Sequence, residues 1–237
     1  MQLPESLLAK IGPIISFDRP AQGENSDVTL VAARAGRFAL KRAVTEKQAA
    51  TVAAESRILA AIGHEYPFVP APVASAPGLL LMTWLPGQDM TALNPDEAPG
   101  TGATSAALPG VTAADRHRLL AEAAAALRRI HGWRPDLPPP PAAMLDMIVA
   151  QGYEPDIVFA HGDYCLPNIM VNDSRISAVI DWPHAGYSDR RVDLSAAVWS
   201  IRWNFKDESY VDTFLSAYGF SDKEVLPFFH KVYDLFS

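Results

Sequence analysis

Asp163, Asn168 and Asp181 are the residues whose types and spacing could do chemistry in this chain. In the stretch FAHGDYCLPNIMVNDSRISAVIDW, Asp163 and Asn168 fall in the pattern H-x-D-x-x-x-x-N, and Asp181 closes a second apolar run after the polar turn NDSR. Two short strands joined by that turn would return Asp181 to the neighbourhood of Asn168. Phosphoryl transfer from a nucleotide needs such a set: one carboxylate near the attacking hydroxyl, and a carboxylate plus an amide oxygen to hold Mg²⁺. By itself the spacing is a weak signal, because Asp and Asn are common loop residues that bond to their own backbone. Its weight comes from upstream, where a strand-type run, FALKR, carries Lys41 and a helical run, AAESRIL, carries Glu55. A paired Lys and Glu clamp nucleotide phosphates in kinase chemistry. Taken singly, Lys41 reads as a strand-edge gatekeeper and Glu55 as part of a solvated helix face. All five residues in this order favour the chemical reading.

The elements that must position them are legible in outline. PIISFD, DVTLVAAR and GRFALKRAV read as strands, the last two joined by a tight turn at Ala35-Gly36. TEKQAATVAAESRILAAIG reads as a helix: Thr45 and Gln48 form a capping box, Val52, Leu59 and Ile62 share a face, and Gly63 stops it. APVASAPGLLLMTWLPG adds two strands around a Pro-Gly turn and breaks at Pro86-Gly87, which marks the expected boundary between lobes 1–85 and 86–237. Residues 94–114 are rich in Pro, Gly, Ala and Thr and read as a surface loop. A long helix follows from Thr112, with Leu119, Leu120, Ala123, Leu127 and Ile130 at helical spacing, and the run PDLPPPP must end it. AAMLDMIVAQG predicts a short helix, and the remainder from Trp199 predicts two or three more. The expected fold is α+β and bilobal: a small antiparallel sheet with one helix, then a mainly helical lobe.

Bulk properties limit the partners. A chain of 237 residues with 49% apolar and 20% charged residues can bury a sizeable core. Its formal charge of -7 argues against a nucleic-acid backbone binder and would draw in a cationic small molecule. A single cysteine, Cys165, excludes an internal disulfide framework. No stretch reaches membrane-spanning length, and the first residues lack the apolar run of a signal peptide, so the expectation is a cytoplasmic protein that neither enters a membrane nor binds nucleic acid.

HGDYCLPNIMV followed by VIDWPHAGYSDRRVDLS resembles the catalytic segment of the aminoglycoside phosphotransferases, especially the 3'-phosphotransferase branch, whose members have the protein-kinase-like fold. The resemblance is strong over roughly residues 158–237 and weaker, but in register, before that; LLLMTWLPGQDM resembles the family's hinge. It implies that Asp163 orients or deprotonates the acceptor hydroxyl and that Asn168 and Asp181 bind Mg²⁺. Lys41 would contact the α- and β-phosphates of ATP or GTP, held by Glu55. The phosphate loop would be QGENSDV, with Gly23 allowing close approach and Ser26 touching a phosphate, and the backbone of Thr83 and Leu85 would read the adenine edge. His161 would brace the catalytic loop, Asp189 and Asp193 would support it and cap the next helix, and Cys165 would be inert.

The chain also departs from the family pattern. Pro183 stands where glycine is usual, which should stiffen the loop. His184 replaces an arginine, making a fixed charge titratable. Trp203 stands where an acid is typical, and it could be core or could stack on a ring, while Asp234 keeps an acidic place near the end. The segment 134–157 is shorter than is usual. The resemblance makes an aminoglycoside 3'-hydroxyl the leading acceptor, and the departures bring in a macrolide, a sugar or a choline-like amino alcohol as alternatives and a nucleotide-binding pseudokinase as the reading from another class.

Overall fold

The computed structural model describes residues 3–18, 27–63, 66, 68–94 and 108–236. Packing divides the chain into two compact units: the first takes the chain up to Pro86 and adds Ala178–Pro183, and the second holds Gly87–Ser177 and the chain from His184 onward.

The first unit opens with a short helix, α1 (Glu5–Ile11), then strands β1 (Ile14–Asp18), β2 (Asp27–Ala33) and β3 (Gly36–Arg42). Helix α2 (Glu46–Ile62) and strands β4 (Pro72–Ala76) and β5 (Leu79–Thr83) complete it, in an antiparallel sheet of order β1-β2-β3-β5-β4. The single helix expected here is thus joined by α1, whose seven residues are too few to display a helical period in the sequence. Its Leu7 and Ile11 pack with Val31, Phe38, Leu40 and Leu81 on one face of the sheet. Strand geometry sends alternate side chains to opposite faces, so Ala39 and Lys41 of β3 point away from that cluster. Helix α2 starts at the Thr45/Gln48 capping box and stops at Gly63 in a positive-φ conformation. Its buried stripe is Val52, Glu55, Leu59 and Ile62. Glu55 therefore belongs to the buried face, not to a solvated one.

The second unit begins with β6 (Gln88–Asp89) and a single 3-10 turn, Met90–Leu93. Helix α3 (Ala113–His131) follows, started by a capping box between Thr112 and Asp115. After Pro138–Pro141 come α4 (Ala142–Ala150), β7 (Ile157–Ala160), β8 (Ile169–Asn172), β9 (Arg175–Val179) and β10 (Gly186–Asp189). Helices α5 (Arg190–Phe205), α6 (Glu208–Tyr218) and α7 (Leu226–Phe236) end the fold. Strands β6, β8 and β9 form one small sheet and β7 with β10 another. The turn joining β8 to β9 is built on Asp173 and Ser174, both at positive φ, as the right-handed twist of a two-residue hairpin requires. Helix α3 packs on α6, and α5 on α7. Most of the expected loop over 94–114 lies outside the described residues. Among the described residues, no helix is long and apolar enough to cross a membrane.

Candidate active site

In the first unit, β3 and α2 bring Lys41 and Glu55 together, and residues 178–183 add Asp181. Lys41 Nζ donates to Glu55 Oε2 at 2.7 Å and to Asp181 Oδ1 at 2.7 Å. Glu55 is fully buried, and its other oxygen accepts the Trp182 N–H at 3.2 Å. Trp182 is itself fully buried, with its indole N–H donated to the Val179 carbonyl at 2.9 Å. These bonds hold Asp181 at φ 65°, a left-handed conformation that aspartate tolerates better than most side chains. Burial alone would lower the Lys41 pKa, but Glu55 and Asp181 more than offset it and hold the ammonium above its ordinary value. Burial pushes the Glu55 carboxyl upward, with Lys41 acting against the shift. The result is a permanently protonated amine fixed between two carboxylates, the outer one a third exposed.

At the end of β5, the Thr83 N–H is donated to the Ala71 carbonyl and the Thr83 hydroxyl accepts the Ala71 N–H, both at 2.9 Å. The Thr83 amide is thus committed inside the unit, and Leu85 lies just beyond the strand. Gly23 and Ser26, expected in a phosphate loop, lie outside the described residues.

In the second unit, the loop after β7 is fastened from several sides. Gly162 sits at φ 84°, and a Cβ there would lie 2.2 Å from the His184 carbonyl oxygen, so only glycine fits. Asp193, on the first turn of α5, accepts the His161 N–H on one oxygen and the Gly162 N–H on the other, each at 2.8 Å. His131 Nε2 lies 3.0 Å from Asp193 Oδ2, and its Nδ1 lies 2.6 Å from the Tyr218 hydroxyl. Burial alone would raise the Asp193 pKa, but the bonds from His131 and from the loop amides outweigh it and hold the carboxyl below its ordinary value. Asp189 caps α5 by accepting the Arg191 N–H at 3.0 Å, and it also accepts the Asp156 N–H at 2.8 Å. The loop's other ties are the Leu166 N–H to Ser200 Oγ at 3.0 Å and the Tyr164 hydroxyl to the Ala123 carbonyl at 2.8 Å.

That loop presents Asp163. Its N–H is donated to Nδ1 of the buried His161 at 3.2 Å. Its Oδ2 accepts the Asn168 amide at 2.9 Å, and its Oδ1 accepts the Tyr233 hydroxyl at 2.8 Å. Asn168 Nδ2 also reaches the Asp163 carbonyl at 2.9 Å, which leaves its carbonyl oxygen as the atom suited to a cation. Asp163 is thus a half-buried carboxylate that accepts a hydrogen bond on each oxygen, one from an amide and one from a hydroxyl.

The remaining expected residues, His184, Trp203 and Asp234, are all exposed. His184 is exposed, and its backbone, rather than its ring, packs on Gly162. Trp203 is 59% exposed on α5 and stacks on Trp199. The exposed Asp234 carboxylate lies 4.0 Å from His230. Tyr233 and His131 were missed by sequence reasoning. The signal for Tyr233 was adjacent: the acid singled out on α7 was Asp234, one residue on, and one residue turns a helix by about 100°.

An antiparallel five-stranded sheet with its Lys-Glu pair, followed by a mainly helical unit with an Asp-Asn loop, is the architecture of the kinase-like phosphotransferases. Residues 17–146 and 141–229 match the profile of the phosphotransferase enzyme family, and the chain belongs to that family. Over 64 residues it is 45% identical to an aminoglycoside 3'-phosphotransferase of Niallia circulans, a stretch that is 27% of this chain and 24% of that protein. The chain therefore spans about a quarter of the length of that curated relative. Among solved structures, an aminoglycoside-3'-phosphotransferase of type VIII superposes with a TM-score of 0.67 at 16% identity, covering 98% of both chains. A Streptomyces rimosus aminoglycoside phosphotransferase in complex with ADP and streptomycin superposes at 0.65 and 19% identity, over 97% of this chain and 95% of that one. The fold is the one these phosphotransferases share.

Proposed function

We propose that this protein transfers the γ-phosphoryl group of ATP or GTP to a hydroxyl of a small molecule, the 3'-hydroxyl of an aminoglycoside being the leading acceptor. The observation that carries the reading is the Asp163 carboxylate, steadied by Asn168 and already accepting a hydroxyl at 2.8 Å on its other oxygen. In the reaction, Asp163 orients the acceptor hydroxyl and takes its proton as the acceptor oxygen bonds to the γ-phosphorus. The bond from that phosphorus to the β,γ-bridging oxygen breaks, and the nucleoside diphosphate leaves. Lys41 contacts the α- and β-phosphates, kept in place by Glu55, while the Thr83 carbonyl and Leu85 backbone take the adenine edge. Asp181 and Asn168 offer hard oxygen donors that fit Mg²⁺, which usually binds through one or two carboxylates plus phosphates. That ion, when bound, supplies charge neutralisation on the phosphates. His161, Asp189 and Asp193 act on the reaction by positioning, the larger part of catalysis in this chemistry.

The acceptor assignment is supported by the likeness to the Niallia circulans aminoglycoside 3'-phosphotransferase and by the streptomycin bound to the Streptomyces rimosus neighbour. With a nucleotide donor, the cytoplasm is the compartment we assign. The test is phosphate transfer from ATP and from GTP to a panel of aminoglycosides and other hydroxylated acceptors. Asp163→Ala is expected to abolish transfer while nucleotide binding is kept; wild-type turnover in that variant would overturn the mechanism. Nucleotide binding without transfer to any acceptor would favour the pseudokinase.

A further inference from the structure

We propose that four stacked rings, Trp203, Trp199, His230 and Tyr233, form the acceptor subsite, and that it selects a hydroxylated molecule by an apolar ring face rather than by several ammonium groups. This deepens the phosphotransferase reading and rests on it, but moves a less cationic hydroxylated ring ahead of the aminoglycoside as acceptor.

The rings make a continuous ladder within the second unit. Trp203 and Trp199 stack at 5.6 Å and 12°, Trp199 and His230 at 5.7 Å and 15°, and His230 and Tyr233 at 5.3 Å and 15°. These separations are those of offset-stacked aromatic pairs. The two indoles are four residues apart on α5, and His230 and Tyr233 three apart on α7, so each pair shares one helix face. The ladder descends from solvent to the reacting carboxylate: Trp203 is 59% exposed, Trp199 49%, His230 less so, and Tyr233 ends with its hydroxyl on Asp163 at 2.8 Å.

Two half-exposed indoles leave a large apolar area in water, which a binding partner would cover. The ladder ends on Asp163, so the partner it fits is the molecule that Asp163 acts upon. The Tyr233 hydroxyl occupies the place of an acceptor hydroxyl: it donates to the oxygen of Asp163 that Asn168 leaves open. An acceptor ring lying along the ladder would bring its own hydroxyl to that oxygen and displace the phenol. The chemistry of the wall is aromatic. The carboxylates beside the ladder are Asp163 at its inner end and Asp234, at 4.0 Å from His230, so these residues pair with one or two cationic groups and not with a longer row of them.

The test uses the full chain with two probes, streptomycin and the uncharged 4-nitrophenyl β-D-glucopyranoside. Tryptophan fluorescence should respond to the aryl glycoside, and the response should vanish in Trp199→Ala/Trp203→Ala while ATP binding, read by calorimetry, is unchanged. For whichever acceptor turns over, Trp199→Ala should raise the acceptor KM about tenfold with little change in kcat. Tyr233→Phe, which keeps the ring but not the hydroxyl, should change kcat and leave acceptor affinity nearly intact. An unchanged acceptor KM in Trp199→Ala overturns the proposal, as does concentration-dependent self-association abolished by the same double variant, which would make the indoles a contact between copies. If the probe quenches fluorescence but no acceptor is phosphorylated, the subsite stands and the phosphotransfer reading fails.

Discussion

Lys41 Nζ lies 2.7 Å from Asp181 Oδ1, although 140 residues separate the two in the chain. Behind the lysine, Glu55 holds the same ammonium at 2.7 Å from a fully buried position and also bonds the backbone of Trp182. Two bonds therefore fix the cation and the carboxylate that the proposed reaction assigns to phosphate and metal.

Removing the cation leaves Glu55 buried without its partner. Lys41→Met is expected to lower stability by about 3–5 kcal/mol, the usual cost of breaking one side of a buried pair, and to abolish phosphoryl transfer. Denaturant unfolding and a transfer assay read the two effects separately. A variant as stable as the wild type would mean that Glu55 is satisfied without Lys41.

Asp181→Ala removes the outer carboxylate and leaves the Lys41–Glu55 pair in place. Its expected effect is a loss of Mg²⁺-dependent nucleotide binding, with a melting temperature lowered by alanine at φ 65° and by the lost bond to Lys41. Isothermal titration with ATP, with and without Mg²⁺, checks this, and equal affinities in wild type and variant would remove Asp181 from the metal's ligands.

At Gly162 the expectation is steric. The φ of 84° and the 2.2 Å approach of a Cβ to the His184 carbonyl mean that Gly162→Ala must shift the loop carrying Asp163. A non-glycine residue in such a conformation costs on the order of 1–3 kcal/mol, before any clash. Turnover should fall at least tenfold while the far-ultraviolet circular dichroism stays native. Full activity would show that the loop tolerates the shift.

Asp193 gives the stability a defined pH dependence. Its folded-state pKa is depressed, so the stability it contributes is fully present above the ordinary carboxylate value of about 3.9 and is lost as pH falls through the lower folded value. Urea midpoints measured from pH 7 to pH 3 should fall more steeply below about pH 4 in the wild type than in Asp193→Asn. The variant should already be less stable at pH 7, because a neutral amide cannot accept from both loop N–H groups as the carboxylate does. Parallel curves would assign the acid transition to other groups.

The short-range signals in the sequence carried through to the structure. Thr45 with Gln48 and Thr112 with Asp115 start their helices as capping boxes, and Asp173 with Ser174 makes the hairpin turn. Each works over three or four residues, where side-chain chemistry alone sets the backbone. Helix α1 was illegible because one or two turns do not establish a period, and it is stable through Leu7 and Ile11 against the sheet.

The sequence by itself determined which groups are present and in what order: Lys41, Glu55, Asp163, Asn168 and Asp181, in the elements that carry them. Tertiary structure alone decided their partners. Asp193 reaches back 32 residues to the His161 amide, Tyr233 reaches 70 residues to Asp163, and Trp199 meets His230 across two helices. Those pairings depend on how α5 and α7 are rotated about their axes, and a helix turns by about 100° per residue, so the choice between Tyr233 and Asp234 is made by packing and not by spacing.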